Sequence, residues 1–249
     1  MSGYGAFAQF YDELTANVDY EKMADDIQQI FRLHSQKEPE IVLDVACGTG
    51  SLSFCLARRG YDMIGVDASG EMLSCAMEKS AEEECSPLFL CQTGAELDLY
   101  GTVQAALCTL DSVNHVTDRA ELQEMFRRVA LFLESGCLFI FDANTLYKHE
   151  KVLGENTFVY DCEGVYCVWQ NNYDSNARLT TIDLDLFEEE GEGEYYRWAE
   201  SFSERCWTDE ELSDLIAQSG MELIACYGEE NLQPPAPDCQ RKIFVCRKI

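Results

Sequence analysis

From residue 20 to about residue 142, short apolar runs alternate with stretches whose apolar positions recur every three or four residues. Ile27, Ile30 and Phe31 predict a first helix that closes near Ser35-Gln36-Lys37. Ile41-Val42-Leu43-Asp44-Val45 is β-branched, short and followed by a Gly-rich turn, the pattern of a buried strand. Residues 51–59 are helical, with Leu52, Cys55 and Leu56 on one face. Residues 62–67 form a second strand. Ser69 then opens a helix whose first turn carries Glu71, where the helix dipole favours negative charge. Strands follow at 88–91 and 105–110. Asp118 caps a helix that reaches Leu133 and stops at Glu134-Ser135-Gly136, before a fifth strand at 137–141. Strands separated by helices at this pace imply a parallel sheet with helices on both faces and right-handed crossovers.

The period changes after residue 145. Residues 157–206 lack helical spacing, and Thr181-Ile182-Asp183-Leu184-Asp185-Leu186 alternates with period two. Asp174-Ser175-Asn176 and Glu190-Gly191-Glu192-Gly193 are turn signals between strand-like runs. An antiparallel meander is therefore expected. Helix logic resumes at Thr208, where Glu211 completes a capping box, and the helix should run to Ser219 with Gly220 ending it. Strands at 222–226 and 242–246 bring the sheet to seven. The expected organisation is α/β: a doubly wound, mostly parallel, Rossmann-like seven-stranded sheet with an inserted meander. Residues 1–38 make a helical cap, 39–145 and 207–249 the α/β domain, and 146–206 the insertion.

Composition narrows the partners. The 249 residues carry a formal charge of -28, from 46 acidic and 18 basic side chains. Such a surface repels phosphate backbones and anionic lipid, which disfavours nucleic acid and membrane and favours a small-molecule substrate. The odd number of cysteines, 13, is scattered through apolar runs. That suits free thiols in a reducing, cytoplasmic setting. No C-x-x-C pair occurs, so no metal is expected. No leader pattern opens the sequence, and no apolar run approaches the length of a membrane span.

The chemistry centres on Asp44-Val45-Ala46-Cys47-Gly48-Thr49-Gly50, between a strand and a helix. A Gly-rich turn there lets backbone approach a ligand closely and aims N–H groups at it. Asp67 closes the next strand, where a carboxylate accepts both hydroxyls of a ribose. Together these features point to a nucleoside-bearing cofactor. Dinucleotide enzymes share the geometry, but their G-x-G-x-x-G run is matched only as Ala46-x-Gly48-x-Gly50, with Ser53 in place of the helix-packing Gly. Asp44 suits a cationic or amine-bearing ligand better than a diphosphate.

The runs LDVACGTG, GVDASGEML, CTLDSVNHV and GCLFIFDANT, with the opening FAQFYDEL and the closing RKIFVCRK, resemble the class I S-adenosylmethionine-dependent methyltransferases. The likeness is nearest to small bacterial members with a Tyr-rich first helix and a β-insertion. It implies S-adenosylmethionine as cofactor. By that resemblance Asp44 and the backbone at Ala46, Cys47, Gly48 and Gly50 hold its methionine part, and Asp67 binds the ribose. Ala68 and Met72 flank the adenine. Leu110 and Asp111 close the pocket near the sulfonium, and Tyr11 covers it. The family's adenine-contacting Asp is replaced by Thr93, followed by Gly94; the hydroxyl can accept one bond.

Methyl transfer from a sulfonium needs alignment and exclusion of water, and a base only for an acceptor that keeps its proton. Of the three histidines, His115 follows the fourth strand and is the candidate base; His149 starts the insertion, and His34 reads as surface. Tyr147, Tyr166, Trp169, Tyr195, Tyr196 and Trp198 suggest an aromatic lid, or alternatively a homodimer contact through the same element. A nicotinamide-dependent oxidoreductase and a non-catalytic cofactor-binding module are the competing readings.

Overall fold

The computed structural model describes residues 7–162, 164–191, 193–229 and 232–249. Residues 1–6 of the expected helical cap and the turn residue Glu192 lie outside them. In chain order the elements are α1 (Phe7–Leu14), α2 (Tyr20–His34), β1 (Ile41–Val45), α3 (Ser51–Arg58), β2 (Asp62–Asp67), α4 (Gly70–Ser80), β3 (Leu88–Cys91), β4 (Val103–Cys108), α5 (Ser112–His115) and α6 (Arg119–Phe132). There follow β5 (Leu133–Asn144), β6 (Thr157–Cys162), β7 (Val165–Asp174), β8 (Leu179–Gly191), β9 (Glu194–Arg205), α7 (Asp209–Gln218), β10 (Met221–Gly228) and β11 (Arg241–Lys248).

The main sheet has the strand order β10-β11-β5-β4-β1-β2-β3. Its pairings are parallel except that β11 runs against both neighbours. From β1 the chain winds outward through β2 and β3, then returns to the other side of β1 through β4 and β5. The carboxyl ends of β1 and β4 therefore part at a topological switch point, where open α/β sheets leave a crevice.

Strand parity sorts the core. Leu43 and Val45 face α6 and α7, with Phe126, Phe139, Phe141 and Phe244 buried beside them. Phe141 and Phe244 stack at 4.9 Å. Val42, Met63, Leu107 and Ile140 face the other way, against Ile27, Ile30 and Phe31 of α2 and Leu52 and Leu56 of α3. The helix starts follow the predicted caps. Ser69 Oγ accepts from the N–H of Met72, Asp118 from those of Ala120 and Glu121, and Thr208 and Glu211 form the reciprocal box.

The meander is a separate four-stranded antiparallel sheet, β6-β7-β8-β9. The alternation at 181–186 is its pleat: Ile182, Leu184 and Leu186 are buried against Phe7, Ala8 and Leu14 of α1 and Met72 of α4. The insertion and the opening helix thus share one core.

Two boundaries differ from the sequence reading. α6 ends at Phe132, and β5 already begins at Leu133, because Leu133 pairs with Val103 before the register breaks at Val103/Ala105. Gly136, at φ +81°, absorbs the irregularity that the sequence suggested was a helix stop. β4 closes at Cys108 rather than 110, since Leu110 and Asp111 adopt left-handed backbone.

Candidate active site

A cavity of about 600 Å³ opens at the switch point. Its floor is built from the loops that follow successive strands: Val45, Ala46 and Gly48 after β1, Asp67 and Ala68 at β2, Thr93 and Gly94 after β3, and Leu110 and Asp111 after β4. Tyr11 and Leu14 of α1 close one side; Phe158, Tyr160, Trp169, Phe202 and Glu204 of the small sheet close another. Ala46, Leu110 and Asp111 have φ of 57°, 56° and 52°, a conformation that non-glycine residues adopt at a cost. Asp142, at the end of β5, holds two of them in place. Its Oδ2 accepts from the N–H of Leu110 at 2.9 Å and its Oδ1 from that of Asp111 at 2.5 Å.

One end of the cavity suits a nucleoside. Asp67 Oδ2 accepts from the N–H of Gly48 and Oδ1 from that of Ser69, both at 2.8 Å. The carboxylate lines the cavity and keeps capacity to accept from a ligand there. Burial pushes this carboxyl above its ordinary value, against the pull of those backbone N–H groups. Gly48, at φ +55°, would meet nothing within 4 Å if it carried a Cβ, so the turn leaves a cradle. Met72 and Ala68 on one side and Gly94 on the other bound the slot. This donor set and cradle fit the adenosine part of S-adenosylmethionine.

Three loop residues stand behind the cavity wall rather than on it. Asp44 is 2% exposed, and its Oδ2 accepts from Ser53 Oγ at 2.6 Å. Burial pushes its carboxyl up to about 7. The thiol of Cys47 turns toward Gly65, and a Cβ on Gly50, at φ +76°, would strike Phe89 at 2.7 Å. These residues set the loop's path. Thr93 lines the cavity, but its hydroxyl accepts from the N–H of Glu96 and donates to Glu96 Oε2, so it caps the short turn 94–96.

The other end is charged. Arg241 Nη2 donates to Asp111 Oδ1 at 2.5 Å. Asn144 Nδ2 donates to Asp111 Oδ2 at 2.8 Å and to Glu204 Oε2 at 3.1 Å, and Lys148 Nζ donates to Asn144 Oδ1 at 2.9 Å. Burial opposes the charge on Asp111, yet Arg241, Lys148 and His115 hold its carboxyl well below the usual range. Glu204 is pushed the other way, by burial first and by Asp111 second. Neighbouring carboxyls driven apart in this manner are the arrangement of sites that move protons. His115 lines the same end. Ligating atoms of Asp111, His115 and Glu204 lie within 4.8 Å of one another. Arg241 and Lys148 already supply positive charge to them, which disfavours a divalent ion.

The structure thus gathers Tyr11, Ala46, Gly48, Asp67, Ala68, Met72, Thr93, Gly94, Leu110, Asp111 and His115 around one cavity. It adds Asn144, Lys148, Glu204 and Arg241, which sequence reasoning passed over. Their signal was a polar residue within an apolar run, as in Phe139-Ile140-Phe141-Asp142-Ala143-Asn144 and Arg241-Lys242-Ile243-Phe244-Val245. Of the aromatics read as a lid, Trp169 faces the cavity, whereas Tyr166, Tyr195, Tyr196 and Trp198 are exposed. His149 is fully buried, with Nδ1 2.7 Å from Thr180 Oγ1. His34 is half-buried against the hydroxyl of Tyr227 rather than free on the surface.

Residues 42–136 match the model of a methyltransferase domain family. The chain is 29% identical over 246 residues to YqeM of Bacillus subtilis, whose name assigns it provisionally to the methyltransferases; 98% of this chain and 97% of that protein are covered. The crystal structure of an S-adenosylmethionine-dependent methyltransferase from Clostridium acetobutylicum superposes with a TM-score of 0.86 at 29% identity, covering 99% of each chain. CalS10 of Micromonospora echinaspora, an amino pentose methyltransferase solved with S-adenosylmethionine bound, has the same fold, with a TM-score of 0.73 at 18% identity over 93% of this chain and 92% of that one.

Proposed function

From the premise that this chain is a class I S-adenosylmethionine-dependent methyltransferase, we propose that the cavity at the switch point takes the cofactor at the Asp67 end and a small acceptor molecule at the His115 end. The cofactor supplies an activated methyl group. The chain's own residues bind, orient and shield. Asp67 accepts the ribose hydroxyls, Gly48 gives room for close backbone approach, and Met72 and Ala68 flank the base. Leu110 and Asp111, fixed by Asp142, form the waist between the two ends. His115 takes the proton of an acceptor that still carries one.

The observation that carries this reading is the continuity of one cavity from Asp67 and Gly48 to His115 and Glu204. Residues 146–206 act in it as a lid rather than a dimer element, since Phe158, Tyr160, Trp169 and Phe202 turn their rings inward. The charge of -28 argues for a small molecule over nucleic acid. The 13 cysteines, all unpaired, suit the cytoplasm, and among the described residues no helix is long and apolar enough to cross a membrane.

Titration calorimetry tests the cofactor end: S-adenosylhomocysteine should bind and NAD should not. A methyl-label transfer screen against metabolite extracts tests the acceptor end, because a labelled small product is expected. Tight NAD binding, or label found only in RNA, would reverse the assignment.

A further inference from the structure

We propose that Glu204 is the positioning residue for His115: the inserted sheet carries its carboxylate into the active site, where it holds the imidazole and shares the proton that the acceptor gives up. The proposal rests on the reading of His115 as proton acceptor.

Phe202 and Glu204 are two apart on β9 and so point to the same side of the small sheet. The ring of His115 lies over that of Phe202, with centroids 5.2 Å apart and planes tilted by 38°. Its Nε2 is 3.8 Å from Glu204 Oε1. Glu204 is 3% exposed, and its other oxygen accepts from Asn144 Nδ2 at 3.1 Å. Asn144 is itself immobilised: its backbone N–H donates to Asn114 Oδ1 at 3.0 Å, and Asn114 Nδ2 donates to the carbonyl of Arg205 at 2.8 Å. Hydrogen bonds from the main domain and the chain's own β9 thus aim Oε1 of Glu204 at His115.

A carboxylate buried this deeply disfavours its own charge unless a positive partner appears beside it. Asp111, in the loop before α5, is committed to Arg241 and Asn144. Asp67 at the end of β2 is the remaining acid felt by His115. Lys148 and Arg241 act on Asp111 and Glu204 from the other side. Among these groups Glu204 is the one whose free oxygen faces the imidazole.

The balance is simple. The acceptor atom forms its bond to the methyl carbon and releases its proton to the ring nitrogen of His115 opposite the Nε2–H that faces Glu204. The electron pair of the broken carbon–sulfur bond leaves with sulfur. The imidazolium so formed sits against the Glu204 carboxylate, and the pair holds the proton until water takes it after product leaves.

The chain has three histidines, so ring resonances can be followed individually by NMR in the full-length protein and assigned with His115→Asn. In Glu204→Gln, which keeps an oxygen for Asn144, the His115 ring resonances should move in the protein saturated with S-adenosylhomocysteine while those of His34 stay in place, and the rate of product labelling in the extract screen should fall about tenfold or more. Glu204→Asp should recover part of that rate. Unmoved His115 resonances, or an undiminished labelling rate, in a folded Glu204→Gln protein with normal S-adenosylhomocysteine affinity would overturn the proposal. Undiminished product labelling by His115→Asn in the extract screen would instead overturn the base reading, and the proposal with it.

Discussion

Asp67→Ala should weaken S-adenosylhomocysteine by about 2–3 kcal/mol, roughly 30- to 150-fold in Kd. A carboxylate offers about four lone-pair sites. The N–H groups of Gly48 and Ser69 take one on each oxygen. The capacity that remains faces the cavity, where a ribose diol would meet it. A hydrogen bond to a charged acceptor contributes about 1.5–3 kcal/mol, and water admitted by the smaller side chain recovers part of the loss for two. Asp67→Asn keeps the volume and one acceptor oxygen, so a loss of about tenfold is expected. The substitution also strips a partner from the Gly48 N–H, which would loosen the loop in free and bound protein alike. Comparison with an analogue lacking the ribose hydroxyls separates the two effects. Calorimetry should show wild type binding the natural ligand far better than the deoxy analogue, and Asp67→Ala binding both alike. A wild-type preference retained in the variant, with circular dichroism unchanged, would refute the ribose assignment.

Asp142→Asn should lower stability by about 2–4 kcal/mol in a denaturant melt, because an amide group then faces the N–H of Leu110 or Asp111 and Arg241 loses a charged neighbour 3.7 Å away; an unchanged midpoint would mean that the left-handed turn needs no support. Asp44 has its carboxyl raised by burial to about 7, so the native state binds this proton more tightly than the unfolded chain. Stability is therefore lost as pH rises from about 4 through about 7, and Asp44→Asn should gain up to about 4 kcal/mol at pH 8 with almost none at pH 4; equal gains at both pH values would contradict it. Thr93→Asp should leave S-adenosylhomocysteine affinity within about twofold, since Asp is an equally good cap and stays turned to the N–H of Glu96; a tightening seen with the adenosine form and absent with an inosine form would show that position 93 reaches the base.

The Asp67 end of the cavity was legible because it is local. Its turn, its two glycines and Asp67 fall within one strand–helix–strand unit, and short-range chemistry dictates each. The fold was legible for the same reason: caps such as Ser69 and Thr208 mark helix starts that the structure keeps. The stop at Glu134-Ser135-Gly136 misled because a Gly after a helical run reads as a cap, while the pairing of Leu133 with Val103 is a long-range fact. The charged end was illegible throughout. Arg241 and Asp111 meet across 130 positions, and Asn144 and Glu204 across 60. Period two was legible at 181–186 on β8, and nothing in it told which residues of β9 reach the cavity. Phe202 reaches it, and Tyr195, Tyr196 and Trp198, nearer the hairpin tip, do not.

The same long-range contacts explain why the two ends behave as one site. The N–H of Phe7, at the start of α1, donates to Glu200 Oε1 on β9 at 2.9 Å, four residues from Glu204. Along α1, Phe7, Ala8 and Leu14 share a core with β7 and β8. One turn beyond Ala8, Asp12 Oδ1 accepts from Thr49 Oγ1 at 2.7 Å, and Oδ2 meets Lys79 Nζ at 2.5 Å. Thr49 lies between Gly48 and Gly50, in the loop that bounds the Asp67 end of the cavity. α1 is thus bonded at once to the strand that carries Phe202 and Glu204 and to the turn that carries Gly48. A displacement of α1 large enough to uncover the cavity must release one set of bonds or drag the other along. One eight-residue helix thus bridges the strand of Glu204 and the Gly48 turn, which ties the two walls of the cavity into a single packed unit.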